Sequence, residues 1–333
     1  MDSLVNKRVC IVGKGSIGVR HAKIFNKLNC KIFFLRSRKN LTNYKLNFPT
    51  IEIDKFKKIK KNYFDLIIIC NPTSLHLTTL KKLSNFSKTF LIEKPITSKF
   101  DDYKGLKKFM AKKKNKLFTG FYLRYDKRII RLKKIYDKNF KKAKYSKIVW
   151  KTYAPSWHKG ENFKYSYAGL KKLGGGVINT CSHEIDLAIY LFGKVKEVFC
   201  KKIKSNLNTD VENAVLIFLK HQNNLVSEIN LNFGCRKEKT RYSKIFFNDF
   251  TIEYNFEKKN LVKTQNYSKK ILKVRNFKNN HQAYTIQDEV VLKNSNKYMS
   301  VKEKKSILHS EKIIQLAKLS LEKKVKIISS KYP

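Results

Sequence analysis

Residues 9–25 read VCIVGKGSIGVRHAKIF. An apolar run, Val9 to Val12, leads directly into Gly13, Gly15 and Gly18 in the spacing GxGxxG, and a helical pattern follows. Gly13 permits a tight turn, Gly15 lets backbone approach a pyrophosphate, and Gly18 lets helix and strand pack closely. The helix beginning at Ser16 and Ile17 offers free N–H groups and a positive dipole end to phosphates. A glycine-spaced turn alone is weak evidence. Here it joins a buried strand to a helix and heads a repeating βαβ pattern, so it reads as a dinucleotide cradle.

Reading outward, strand and helix patterns alternate. RVCIVG, CKIFFLRS, TIEI, FDLIIIC, TFLIE and LFTGF are strands, with helices over about 16–28, 74–84 and 101–113. Short apolar strands alternating with amphipathic helices predict a doubly wound parallel sheet covered on both faces. Beyond about residue 122 the pattern changes. A helix over about 126–139 is followed by longer strands, among them NLVSEINLNF. There Leu225, Ser227, Ile229, Leu231 and Phe233 alternate with Val226, Glu228, Asn230 and Asn232, the period of an open, mostly antiparallel sheet. A closing amphipathic helix is expected over about 301–323. The division is therefore 1–122 for a nucleotide domain and 123–333 for a second α/β domain.

The 333 residues are 42% hydrophobic, enough for two cores. No run of 18 or more uncharged apolar residues suggests a membrane span, and the start lacks the apolar region of a secretory signal. The six cysteines have no metal-ligand spacing and read as reduced thiols of a cytoplasmic protein, and no metal site is expected. The net charge of +49 invites a polyanionic partner. Yet the charge is mostly lysine, spread along the whole chain, and accompanied by many Asn, Ile, Phe and Tyr, so codon bias explains it. A specific nucleic-acid partner and membrane insertion are not expected; salt-sensitive sticking to polyanions is.

Three further stretches carry chemistry. After the second strand an NAD site usually places an acid for the ribose hydroxyls. Here Arg36, Ser37 and Arg38 stand instead, and guanidinium groups suit a phosphate, which favours NADP over NAD. Glu93, Lys94 and Pro95 follow the fifth strand, where ligands bind in open α/β sheets, and a lysine there can move a proton. LGGGVINTCSHEID, residues 173–186, places Asn179, His183 and Asp186 within a narrow arc of one continuous helix, behind a flexible glycine lead-in. A buried polar stripe needs partners, either a structural network in which His183 bonds Asp186 or backbone and fixes the helix, or a substrate.

Together these segments resemble the glucose-fructose oxidoreductase, inositol dehydrogenase and MocA family of NAD(P)-dependent oxidoreductases. The matching stretches are GKGSIG (13–18), CNPTSLH (70–76), EKP (93–95), GFYLRY (120–125) and GGGVINTCSHEIDLAIYLFG (174–193), in the family's order. The resemblance implies an N-terminal Rossmann domain and a C-terminal α/β domain whose open sheet often makes dimer or tetramer contacts. It implies hydride transfer to or from a sugar, sugar nucleotide or polyol. The family's proton-transfer lysine falls on Lys94 and its helix histidine on His183. Asn71, Pro72 and His76 fall on a turn beside the nicotinamide, with Glu93 also at the cofactor. Arg124, Trp157, His158, Thr180 and Asp186 are candidates for substrate contact. Where the family often has an aspartate four residues before the histidine, this chain has Asn179, which can still bond a hydroxyl. That departure keeps open a catalytically weak nucleotide-binding sensor or scaffold. A non-sugar substrate of tetrapyrrole or dihydrodiol type also stays open.

Overall fold

The computed structural model describes residues 5–35, 46–54, 59–112, 114–158, 160–274, 281–295 and 297–332. They form two compact units, 1–120 with 284–308 and 121–283 with 309–333.

In the first unit β1 (Arg8–Val12), β2 (Lys31–Leu35), β3 (Ile51–Ile53), β4 (Leu66–Ile69), β5 (Thr89–Ile92) and β6 (Lys116–Thr119) form one sheet in the order β3-β2-β1-β4-β5-β6. Every neighbouring pair is parallel. Between strands run α1 (Ser16–Lys27), α2 (Thr73–Leu83) and α3 (Phe100–Lys112). Both faces are covered, so the central strands are apolar on both sides. Val9, Ile11, Leu66, Ile68 and Leu91 enter one core with Phe25 of α1. Cys10, Ile67, Ile69 and Ile92 enter the other with Leu80 of α2 and Leu106 of α3. Each fully buried isoleucine or leucine contributes roughly 1.5–3 kcal/mol.

Local chemistry sets the ends of α1. Gly15, in extended conformation, precedes it with no side-chain cap. Its C-terminus closes on Asn29 at φ 55°, with Cys30 N–H donating to Phe25 O and Asn29 N–H to Asn26 O. That paired bonding satisfies the last carbonyls and stops the helix.

The second unit contains α4 (Lys127–Asn139), β7 (Ala143–Lys151), α5 (Val177–Thr180), α6 (Ser182–Phe192) and strands β8 (Val195–Lys202), β9 (Ala214–His221), β10 (Val226–Asn232), β11 (Thr240–Phe247), β12 (Thr251–Asn255), β13 (Asn260–Gln265) and β14 (Ser268–Ile271). The chain then runs through α7 (His281–Lys293), α8 (Val301–Lys323) and β15 (Ile327–Ile328). The nine-stranded sheet has the order β14-β13-β12-β11-β7-β10-β9-β8-β15. β7 and β10 pair in parallel and the other neighbours antiparallel. In β10 the buried residues are Ser227, Ile229 and Leu231, as the alternation implies.

Two features differ from the sequence reading. Residues 284–308 join the first unit, so its chain is not contiguous. The cause is apolar: Val291 and Leu292 of α7 pack with Val9, Ile11 and Phe25, and Ile307 of α8 packs with the other core. Residues 177–192 are also not one helix. Cys181, at φ −98° and ψ 26°, separates α5 from α6.

Candidate active site

In the first unit, the loop after β1 and the turns after β4 and β5 all leave the carboxyl edge of the sheet. β1 and β4 flank the point where strand order reverses, the usual ligand crevice of such sheets. Gly13 lies at φ 102°, and a Cβ on Gly18 would stand 2.1 Å from Gly13 O, so both glycines are obligatory. A Cβ on Gly15 would meet nothing within 4 Å. The first turn of α1 holds no acid and no side-chain cap. An uncapped helix start beside open space suits an anionic pyrophosphate, so the residues present fit a dinucleotide. Lys14 extends from the same loop to Glu52 of β3, Nζ to Oε1 2.7 Å. Arg36, Ser37 and Arg38 lie outside the described residues.

His76 of α2 ties the two neighbouring turns together. Its Nδ1 is 2.9 Å from Pro95 O and its Nε2 2.7 Å from Asn71 O. Burial lowers its pKa, although both carbonyls pull the other way. Asn71 Nδ2 donates to Thr79 Oγ1, and Pro72 precedes α2. His76 thus ties the two turns to each other, since its ring nitrogens face backbone carbonyls. Lys94 is half-buried and the Lys94–Pro95 bond is cis.

Glu93 is 8% exposed, and behind it lies a cluster that sequence reasoning missed. His21 of α1 is fully buried, with Nδ1 2.6 Å from Asp288 Oδ2 and Nε2 3.3 Å from Glu93 Oε1. Burial works against a charged imidazole, but Asp288 and then Glu93 push its pKa up to about 10. Burial works against the Glu93 carboxylate too, yet His21 and Lys94 hold it below its ordinary value. The signal was present: His21 falls on the buried stripe of α1 with Val19, Ala22 and Phe25. A polar side chain in an apolar stripe requires a buried partner.

In the second unit the three glycines before α5 are not a flexible lead-in. Gly174 takes the left-handed conformation, and a Cβ on Gly175 would strike Tyr167 O at 2.5 Å. Gly176, at φ 99°, lies against Glu212, whose carboxylate accepts Ile178 N–H at 3.1 Å and whose carbonyl accepts Val177 N–H. Asn179 is fully buried and donates from Nδ2 to Gly174 O at 3.0 Å. Thr180 is 8% exposed.

Asp186 is held by a cation and a hydroxyl. It receives Arg124 through Nε at 2.9 Å and Nη2 at 2.5 Å, and Ser310 Oγ at 2.8 Å. Burial disfavours the Arg124 charge, but Asp186 outweighs it and raises the pKa. These two sequence candidates are therefore brought together as an ion pair. A second pair lies one residue from His183: Arg241 Nη2 stands 2.7 Å from Glu184 Oε1, with the guanidinium over the Trp150 and Phe256 rings at 4.0 and 4.5 Å. Arg241 also donates to Tyr122 Oη at 3.3 Å. His183 is 4% exposed and packs edge-on to Tyr122, with ring centroids 4.6 Å apart. Trp157 stacks on Trp150 and donates to Thr152 Oγ1, and His158 is exposed. Among the described residues no His, Cys, Asp and Glu cluster could hold a metal ion. Nor is any described helix long and apolar enough to cross a membrane.

The oxidoreductase family with an NAD-binding Rossmann fold, Gfo/Idh/MocA, matches residues 7–121, and the Gfo/Idh/MocA C-terminal domain matches residues 147–253. Myo-inositol 2-dehydrogenase of Thermotoga maritima is 25% identical over 199 residues, 58% of this chain and 57% of the relative. Scyllo-inositol 2-dehydrogenase (NAD(+)) of Bacillus subtilis is 26% identical over 195 residues, 56% of this chain and 54% of the relative. The matched region thus spans a little over half the length of these relatives. The solved structure of levoglucosan dehydrogenase with NADH and L-sorbose gives a TM-score of 0.82 at 15% identity, covering 99% of each chain. An oxidoreductase of Agrobacterium radiobacter in complex with NAD+, L-tartaric acid and magnesium gives 0.79 at 14% identity, covering 98% of this chain and 99% of that one. At such identities the structural likeness is one of fold. With both of its domains matched in order, this chain belongs to the Gfo/Idh/MocA oxidoreductase family.

Proposed function

We propose that the chain is an NAD(P)-dependent oxidoreductase acting on a CH–OH group of a sugar, sugar nucleotide or polyol. The observation that carries this reading is the half-buried Lys94, in the turn after β5, on the same sheet edge as the Gly13–Gly18 loop. A bound nicotinamide supplies or accepts the hydride. Gly13, Gly15, Ser16, Ile17 and Gly18 hold its pyrophosphate, and Asn71, Pro72, His76 and Glu93 shape the turns around it. Lys94 gives or takes the proton on the substrate oxygen, with assistance from His183. Asn179 and Thr180 serve substrate binding, Asn179 chiefly through the glycine loop to which it is bonded. Arg124 and Asp186 serve it indirectly, as the ion pair that fixes the start of the unit, while Trp157 and His158 supply specificity. Arg36, Ser37 and Arg38 favour NADP, and the protein works in the cytoplasm. The names of the inositol and levoglucosan dehydrogenases support a polyhydroxylated substrate.

The outer face of the second sheet supports a homodimer or homotetramer. There half-buried Phe199 stacks with Phe218, and Tyr145 packs on Phe246. Light scattering in solution tests it.

The decisive experiment is a screen of sugars, nucleotide sugars and inositols against NADP(H) and NAD(H), in both oxidised and reduced forms, read by the near-ultraviolet absorbance of the reduced nicotinamide. Turnover with a polyol supports the proposal, and an NADH preference refutes the role of the two arginines. Turnover only with a dihydrodiol or tetrapyrrole moves the substrate class. Cofactor binding without any turnover supports a sensor or scaffold instead. That second reading draws on the pairing of both α6 acids, Glu184 and Asp186, with arginine.

A further inference from the structure

The buried cluster behind Glu93 has no place in the reaction as so far described. We propose that His21, held by Asp288, is a positioning residue for the Glu93–Lys94 turn, and that its ring orients and neutralises the Glu93 carboxylate beside Lys94. The inference rests on Lys94 being the proton-transfer residue.

Four observations carry it. The imidazole joins two carboxylates from distant parts of the chain, Asp288 at 2.6 Å and Glu93 at 3.3 Å. The Glu93 carboxylate lies where a Cβ on Gly120 would stand, 2.8 Å from Oε1 and 3.0 Å from Oε2, so glycine at the end of β6 makes its berth. Its Oε2 accepts the Lys94 backbone N–H at 3.3 Å. The Lys94 charge in turn acts on Glu93. A positive charge on the ring fits the lowered Glu93 pKa and the raised His21 pKa, while burial holds the Asp288 carboxyl above its ordinary value against the pull of His21.

On α7, Gln287 donates to the other Asp288 oxygen and the Tyr284 ring meets His21 edge-on. Arg20 of α1 lies over Tyr284. Cys70, after β4, is kept protonated by burial and by Glu93 and Asp288, and burial lowers the pKa of His76. The cationic ring is therefore the group that compensates Glu93 from the α1 side. Without it, Lys94 would face an uncompensated anion and bind its proton more tightly.

The test is the pH profile of kcat/KM for alcohol oxidation, in which Lys94 must be unprotonated to act. His21→Gln removes a positive charge, so the rising limb should move up by about one pH unit. Glu93→Gln removes a negative charge, so the limb should move down. Opposed shifts support the proposal, because a packing role gives no such sign. Unmoved limbs, with Lys94→Met inactive, overturn it and leave the proposed function standing. An active Lys94→Met defeats the function reading itself. Should the variants fail to fold, NMR of nitrogen-15 histidine in the wild-type protein, without cofactor, decides. A His21 ring still imidazolium at pH 8.5 supports the proposal, and a ring neutral at that pH overturns it.

Discussion

Each unit buries acids against cations close to its candidate reactive group, but the two choose different cations. In the first, Glu93 and Asp288 share a histidine and Glu93 adjoins Lys94. In the second, Asp186 and Glu184 are each closed off by an arginine, Arg124 and Arg241. Histidine and lysine exchange protons in the range where enzymes work, whereas a guanidinium does not. The first cluster is thus built to carry a charge that can move. The second fixes α6 at any working pH. Among the described residues lysines, the bulk of the +49 charge, lie mostly on the surface, while the buried Glu93, Asp126, Glu184, Asp186 and Asp288 take arginine or histidine. The basic composition therefore says little about the interior.

The comparison can be broken experimentally. The largest effect is expected from Lys94→Met: loss of turnover by about 10²–10⁴-fold, with NADPH affinity, read by fluorescence, nearly unchanged. Next is Arg241→Leu, which strands a buried Glu184 carboxylate. It should cost about 3–5 kcal/mol in denaturant unfolding, far more than it changes cofactor affinity. If Arg241→Leu were neutral, the fixed character of the second unit would be lost.

A pH series then separates the two kinds of pair. His21 has a folded pKa of about 10 against an ordinary 6.5. Its stabilisation is complete below about 6.5 and is lost as pH rises through about 10. The gap in melting temperature between wild type and His21→Gln should therefore narrow over that window. For Asp186→Asn the corresponding gap, worth about 2 kcal/mol, should stay flat, since Arg124 keeps its proton. Equal slopes would erase the distinction. The smallest effect is expected at the surface. Lys133→Ala removes an i,i+4 pair with Asp137 and should cost no more than about 0.5 kcal/mol.

Much of this was legible in the chain, for local reasons. GKGSIG between an apolar run and an amphipathic helix needs no tertiary information to be read as a cradle, because its glycines act on adjacent backbone. The two sheet types followed from apolar runs against strict alternation. The 173–186 stretch was read less well. Its polar stripe suggested a shared site on one helix, but Cys181 breaks the helix and two of the polar residues have different destinations. Asn179 goes to the glycine loop and Asp186 to Arg124. Helical spacing fixes which residues share a face; it does not say which distant cation will come to meet them.

The sequence by itself determined the order of strands and helices, the nucleotide loop and the place of Lys94 after a buried strand. Each depends on interactions spanning only a few residues. Tertiary structure alone decided that residues 284–308 return to the first unit, that Asp288 meets His21 across 267 positions, and that Asp186 meets Arg124 across 62. Burial makes an unpaired charge costly, but it does not name the partner. The fold chooses that by which elements it packs together.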